Sequence, residues 1–198
     1  MRYVKILGLA AMALAALMAM AGTASATTIT SPKGTTYTST IKAENVGTVT
    51  LTSVFGGFGA VSCNKSTVEG KVEAHGVGVT VSGLIEAKNL TFTECNKPVT
   101  VVSGGSLELH ALNPVEGRSK EGTLTSKNVK IEIHETAFGT CTFTTASTGT
   151  DIGTVTTTEA TGGNAILDIN AQIPSACGTG TWEGSYKVIS PNPFYLDA

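Results

Sequence analysis

The three histidines of this 198-residue chain, His75, His110 and His134, each stand two residues after a glutamate: Glu73, Glu108 and Glu132, in "KVEAH", "LELH" and "KIEIH". Imidazole and carboxylate together hold divalent transition metals or titrate near neutral pH, which is the chemistry of a metal centre or a small hydrolase. On a β-strand, residues two apart share a face, so each pair projects as a unit. Three neighbouring strands would gather the pairs into one polar band. In the second and third pairs the opposite face is apolar (Leu107, Leu109, Ala111; Val129, Ile131, Ile133), which puts the Glu and His side chains on the solvent side of a sheet. That position also admits a plainer use. Outer sheet faces need polar residues, and a cross-strand charge pair adds only about 0.2–1 kcal/mol.

Other chemistry is sparse. There is no G-x-S-x-G elbow. His134-Glu135 opens like a zincin helix motif, but Phe138 stands where the second histidine belongs. The glycine cluster "FGGFGA" (55–60) leads into a strand-like segment and a cysteine rather than a helix, so it reads as a hairpin and not as a phosphate cradle. In "TWEGSYKV" the rings of Trp182 and Tyr186 share a face with Gly184 and Val188, as a sugar platform would require. Because that face is the apolar one, core burial is the stronger reading of the two rings.

The elements that must position these residues follow an export signal. "MRYVKILGLAAMALAALMAMAGTASA" has Arg2 and Lys5, an apolar run from Ile6 to Ala21, and Ala24-Ser25-Ala26 at its end. This is the pattern of a cleaved, bacterial-looking signal peptide over 1–26. Of 13 Lys and Arg, two lie in that leader, and 15 Asp and Glu all follow it, so the mature chain carries −4. A mildly acidic surface with scattered cations gives no footprint for nucleic acid, and no basic amphipathic segment offers stable membrane insertion. All four cysteines, Cys63, Cys95, Cys141 and Cys177, fall in the exported part, and no C-x-x-C pair suggests zinc. Two disulfides are expected, with sequence order favouring Cys63–Cys95 and Cys141–Cys177 among three possible pairings. Each would close about 30 residues and add roughly 3–4 kcal/mol in the chain-entropy model.

Thirty-one threonines follow residue 26. Alternation assigns them to strands rather than to a stalk: Val129, Ile131 and Ile133 interleave with Lys130, Glu132 and His134, and Ala165, Leu167, Ile169 and Ala171 with Ile166, Asp168, Asn170 and Gln172. Ten or more short strands, separated by signals such as Asn45–Gly47, Gly104-Gly105 and Gly162–Asn164, predict an all-β chain. The expected architecture is a single antiparallel β-sandwich over 27–198, jelly-roll or Ig-like, with a closed barrel as second choice. Pro191 and Pro193 make the ending an edge strand or docked tail. Residues 27–34 are extended, so they suit a donor strand for another copy or a locally docked terminus.

The leader, the Thr/Gly-rich pattern, the segments "VSCNKS" and "LTFTECN", and the ending "SPNPFYLD" resemble uncharacterised secreted, Thr/Gly-rich, cysteine-containing β-proteins of bacteria. The resemblance covers most of the mature chain. Its motifs are structural, so it implies export and a β-fold but no catalytic residue. The expected function is that of a secreted or cell-envelope module, non-catalytic and without cofactor, acting through its surface as a binding or adhesion module or as a matrix or filament subunit. The partners expected are a surface glycan, another envelope protein or a second copy. The alternative is a small extracellular hydrolase or metal-binding protein using the Glu-x-His pairs.

Overall fold

Threonine and valine at alternating positions favour the pleated, half-buried state over a helix, and the described residues form strands with a single 3-10 turn, Ala87–Asn89. The computed structural model describes residues 27–32, 34–53, 59–76, 79–112, 118–135, 139–158, 163–175 and 177–197. The segment expected to be a signal peptide (1–26), most of the glycine cluster and Phe138 lie outside the described residues. In chain order the strands are β1 Thr28–Thr30, β2 Thr40–Ser53, β3 Ala60–Gly76, β4 Val79–Leu84, β5 Leu90–Cys95, β6 Val99–Ser103, β7 Ser106–Leu112, β8 Arg118–Ser119, β9 Glu121–Lys127, β10 Lys130–Glu135, β11 Gly139–Thr144, β12 Thr150–Thr158, β13 Asn164–Ser175, β14 Gly178–Ser190 and β15 Tyr195–Asp197.

Eight strands close an antiparallel barrel in the order β12-β9-β7-β4-β3-β2-β14-β13, because β12 pairs with β9 on one side and with β13 on the other. The chain is therefore not the expected sandwich. One sheet returns on itself instead of two sheets facing each other, which is the second choice, the closed barrel. Inside-outside alternation is the same in both architectures. Closure at the seam depends on Gly153, where a Cβ would lie 1.9 Å from the Asp168 carbonyl oxygen.

Four strands outrun the barrel. β2, β3, β13 and β14 have 14, 17, 12 and 13 residues, and beyond the barrel they form the wall of a second lobe. There Cys63–Val68 of β3 pairs with β5, and Ser175 of β13 pairs with Phe143 of β11. β11 continues to β10, and β10 to β6. β5 and β6 do not pair with each other. Asn45–Gly47, expected as a turn between two strands, is a bulge within β2, whose ladder to β3 jumps from Glu44 to Val49. The Asn45 side chain fills the break: its Oδ1 accepts from Ser66 N at 2.8 Å and its Nδ2 donates to the Asn64 carbonyl at 2.9 Å.

A small sheet, β1-β15-β8, forms a lid. Ile29, Phe194 and Leu196 are buried beneath it, each worth about 1.5–3 kcal/mol of transfer free energy. Thr27 Oγ1 accepts from Ala111 N at 3.2 Å. Thr30 Oγ1 donates to Asp197 Oδ2 at 2.7 Å. The N-terminal strand thus pairs with the C-terminal strand of its own chain. Below it lies a cavity of about 80 Å³, lined by Ile29, Val72, Val81, Leu109 and Phe194 among others. Disulfides join Cys63 to Cys95, which are opposite each other on β3 and β5, and Cys141 to Cys177.

Candidate functional site

The strands carrying the three Glu-x-His pairs are not neighbours. Glu73 and His75 are on β3, Glu108 and His110 on β7, with β4 between them; Glu132 and His134 are on β10, between β6 and β11. Glu73 is exposed, and the His75 side chain lies outside the described residues. Glu108 pairs with Lys127 at 2.5 Å, and Glu132 lies 3.5 Å from Lys130. His110 is exposed opposite Thr123. Among the described residues, no three His, Cys, Asp or Glu side chains are grouped to hold a metal ion.

Trp182 and Tyr186 face the core, at 7% and 2% exposure, so neither can serve as a surface platform. Gly184 between them admits Val49, whose side chain would stand 3.0 Å from a Cβ at that position. Trp182 packs edge-on against Phe92, ring centroids 6.1 Å apart. The Tyr186 hydroxyl is 2.9 Å from Ser66 Oγ. Burial pushes this phenol up to about 12, against the lowering effect of Ser66 and of the nearby Trp182 indole. That indole N–H is buried and makes no hydrogen bond of normal geometry.

A groove of about 480 Å³ at the end of the second lobe gathers polar side chains. Asn96, Lys97 and Pro98, the connection from β5 to β6, form one wall. His134 and Glu135 at the end of β10 and Gly139 and Thr140 at the start of β11 form the other. Both walls are fixed. Cys95 and Cys141, one from each disulfide, adjoin Asn96 and Thr140. Asn96 is clamped to β3: its Oδ1 accepts from Ser62 N at 2.9 Å and its Nδ2 donates to the Ala60 carbonyl at 3.2 Å. His134 N donates to the Pro98 carbonyl at 3.1 Å, tying the walls together.

Across the groove Lys97 Nζ meets Glu135 Oε2 at 2.6 Å, with side chains only 20% and 23% exposed. Pairs this sheltered cancel each other's charge and resist separation more than exposed ones. His134 Nδ1 lies 2.9 Å from Thr140 Oγ1, a spacing suited to a hydroxyl and its base. Its Nε2 faces a second hydroxyl, Thr100 Oγ1, at 3.5 Å. The adjacent carboxylate, Glu135, is engaged by Lys97, so no described acid orients the ring as a triad requires.

Of the groove residues, sequence reasoning singled out His134 as a candidate and named Glu135 only in a zincin-like dipeptide that fails. A signal for the others does exist: "CNK" occurs twice, at 63–65 and 95–97, and the two cysteines are bonded to each other. Lys65 pairs with Glu94, just as Lys97 pairs with Glu135. The chain matches no protein-family model, no curated protein and no solved structure.

Proposed function

We propose that the mature chain is an exported, non-catalytic β-barrel module that acts by binding through its surface, with the groove at Asn96–Pro98, His134–Glu135 and Gly139–Thr140 as its binding end. One observation carries this reading: both disulfides adjoin the walls of a single roomy groove, which pre-forms it for a ligand and lowers the cost of ordering on binding. Disulfides persist in oxidising compartments, in keeping with the leader. Among the described residues no helix is long and apolar enough to cross a membrane. The outward faces of the long strands carry Asp168, Asn170, Gln172, Glu183 and Lys187, the reverse of a lipid-facing barrel wall.

The test is an amide chemical-shift map of isotope-labelled mature protein against a mixed library of saccharides and short peptides, with chromogenic ester, peptide and glycoside substrates run beside it. Shifts concentrated at residues 96–98, 134–135 and 139–140 without turnover are expected. Turnover that disappears in His134→Ala would favour the hydrolase reading and reject the non-catalytic one. A binding map centred elsewhere would reject the groove.

A further inference from the structure

We infer that the ligand of this groove is an uncharged saccharide, held by the Lys97–Glu135 pair and His134. The inference rests on the groove being the binding end and goes further by naming the ligand class. Among the described groove residues, the charges of Lys97 and Glu135 already neutralise each other at 2.6 Å and are largely shielded from water. An anionic or cationic ligand would have to split that pair or lie against a like charge, and separating a buried pair leaves one charge uncompensated. A polyhydroxyl ligand need do neither. Each hydroxyl both donates and accepts, so one can accept from the ammonium while the next donates to the carboxylate, with the pair intact. The exposed His134 imidazole, whose Nδ1 lies at Thr140 and whose Nε2 has only a long contact to Thr100, adds a third polar group lining the groove.

The remaining surface suits the other face of a sugar ring. Pro98 presents an apolar ring on one wall, and at Gly139 on the other no described atom outside its chain neighbours lies within 4 Å of where a Cβ would stand, leaving open space. A volume of about 480 Å³ lies within the range of small-ligand sites. The net charge of −4 outside the leader disfavours polyanions over neutral chains at long range.

The experiment titrates labelled mature protein with cellobiose, mannobiose and diacetylchitobiose as neutral probes, digalacturonate as an acidic probe and trialanine as a peptide probe. At least one neutral disaccharide is expected to shift the amides of residues 96–98, 134–135 and 139–140. The double variant Lys97→Met/Glu135→Gln should weaken that binding about tenfold or more, as loss of a charge-assisted hydrogen bond does, while spectra remote from the groove stay unchanged. Should that variant misfold, Thr140→Trp fills the groove from an exposed position and should abolish the shifts. Preference for digalacturonate or trialanine at the same residues overturns the ligand class and leaves the groove standing. Saccharide shifts confined to another surface overturn both. No groove shift with any neutral probe at tens of millimolar overturns the saccharide proposal.

Discussion

The Tyr186 phenol is pushed from its ordinary 10.0 up to about 12 by burial, and the consequence for stability has a definite sign. In the unfolded chain the phenol ionises near pH 10, whereas the folded chain keeps it neutral until near pH 12. Deprotonation therefore stabilises the unfolded state first. The Tyr186 contribution is level below about pH 10, declines through the window up to about 12, and levels again above it. The total loss is about 2–3 kcal/mol. Tyr186→Phe should cost about 1–2 kcal/mol at neutral pH, since it strands the buried Ser66 hydroxyl, and should show a shallower decline between pH 10 and 12. Urea midpoints of both proteins measured across that window decide it; parallel curves would refute the assignment. At this scale the chemistry of single residues was readable in advance and their company was not. The pattern around Trp182 and Tyr186 marked an inward face. The Glu-x-His spacing marked outward pairs, but whether the pairs meet depends on strand order.

At the scale of elements, alternation marks strands well and their partners poorly. Ala165, Leu167, Ile169 and Ala171 alternate in the sequence and are all buried in β13. Nothing in that pattern says that the first half of β13 pairs with β12 and its last residue with β11. The same limit hid the continuity of β2. Asn45-Val46-Gly47 has turn chemistry, yet the Asn45 side chain replaces missing ladder bonds and the strand runs on. The groove was hidden for a related reason: its walls come from residues about 35–45 positions apart that meet only because β6 pairs with β10. Closure of the barrel makes a sharp prediction at the β12–β13 seam. Gly153→Ala places a methyl against the Asp168 carbonyl, so the seam must part or shift. A loss of about 2–4 kcal/mol is expected, with faster amide exchange in Thr154–Thr157 and Ala165–Ile169. A variant as stable as the wild type would show that the close approach is not required for closure.

For the molecule as a whole, the question is whether a barrel and a second lobe make one cooperative unit or two. The buried residues divide into a large cluster and a smaller one, Ile85, Leu90, Val129 and Ile131, which on its own could suggest two units. The strands argue otherwise. β2, β3, β13 and β14 each run through both lobes, so melting one lobe would leave half-strands of the other with open edges. Val68, Phe92, Val99 and Leu107 pack against both clusters, and the polar pair Ser66–Tyr186 sits where the lobes join. Separate melting would expose these shared groups without releasing the chain entropy of a full unfolding, an unfavourable intermediate. With both disulfides intact, residues 27–198 should therefore unfold in a single transition, with calorimetric and van't Hoff enthalpies equal. The near-ultraviolet signal of Trp182, the lone tryptophan, should change with the same midpoint as the far-ultraviolet sheet signal. Two resolved transitions, or a Trp182 midpoint distinct from that of the sheet, would mean that the shared strands do not couple the lobes. The groove end could then open while the barrel remained folded.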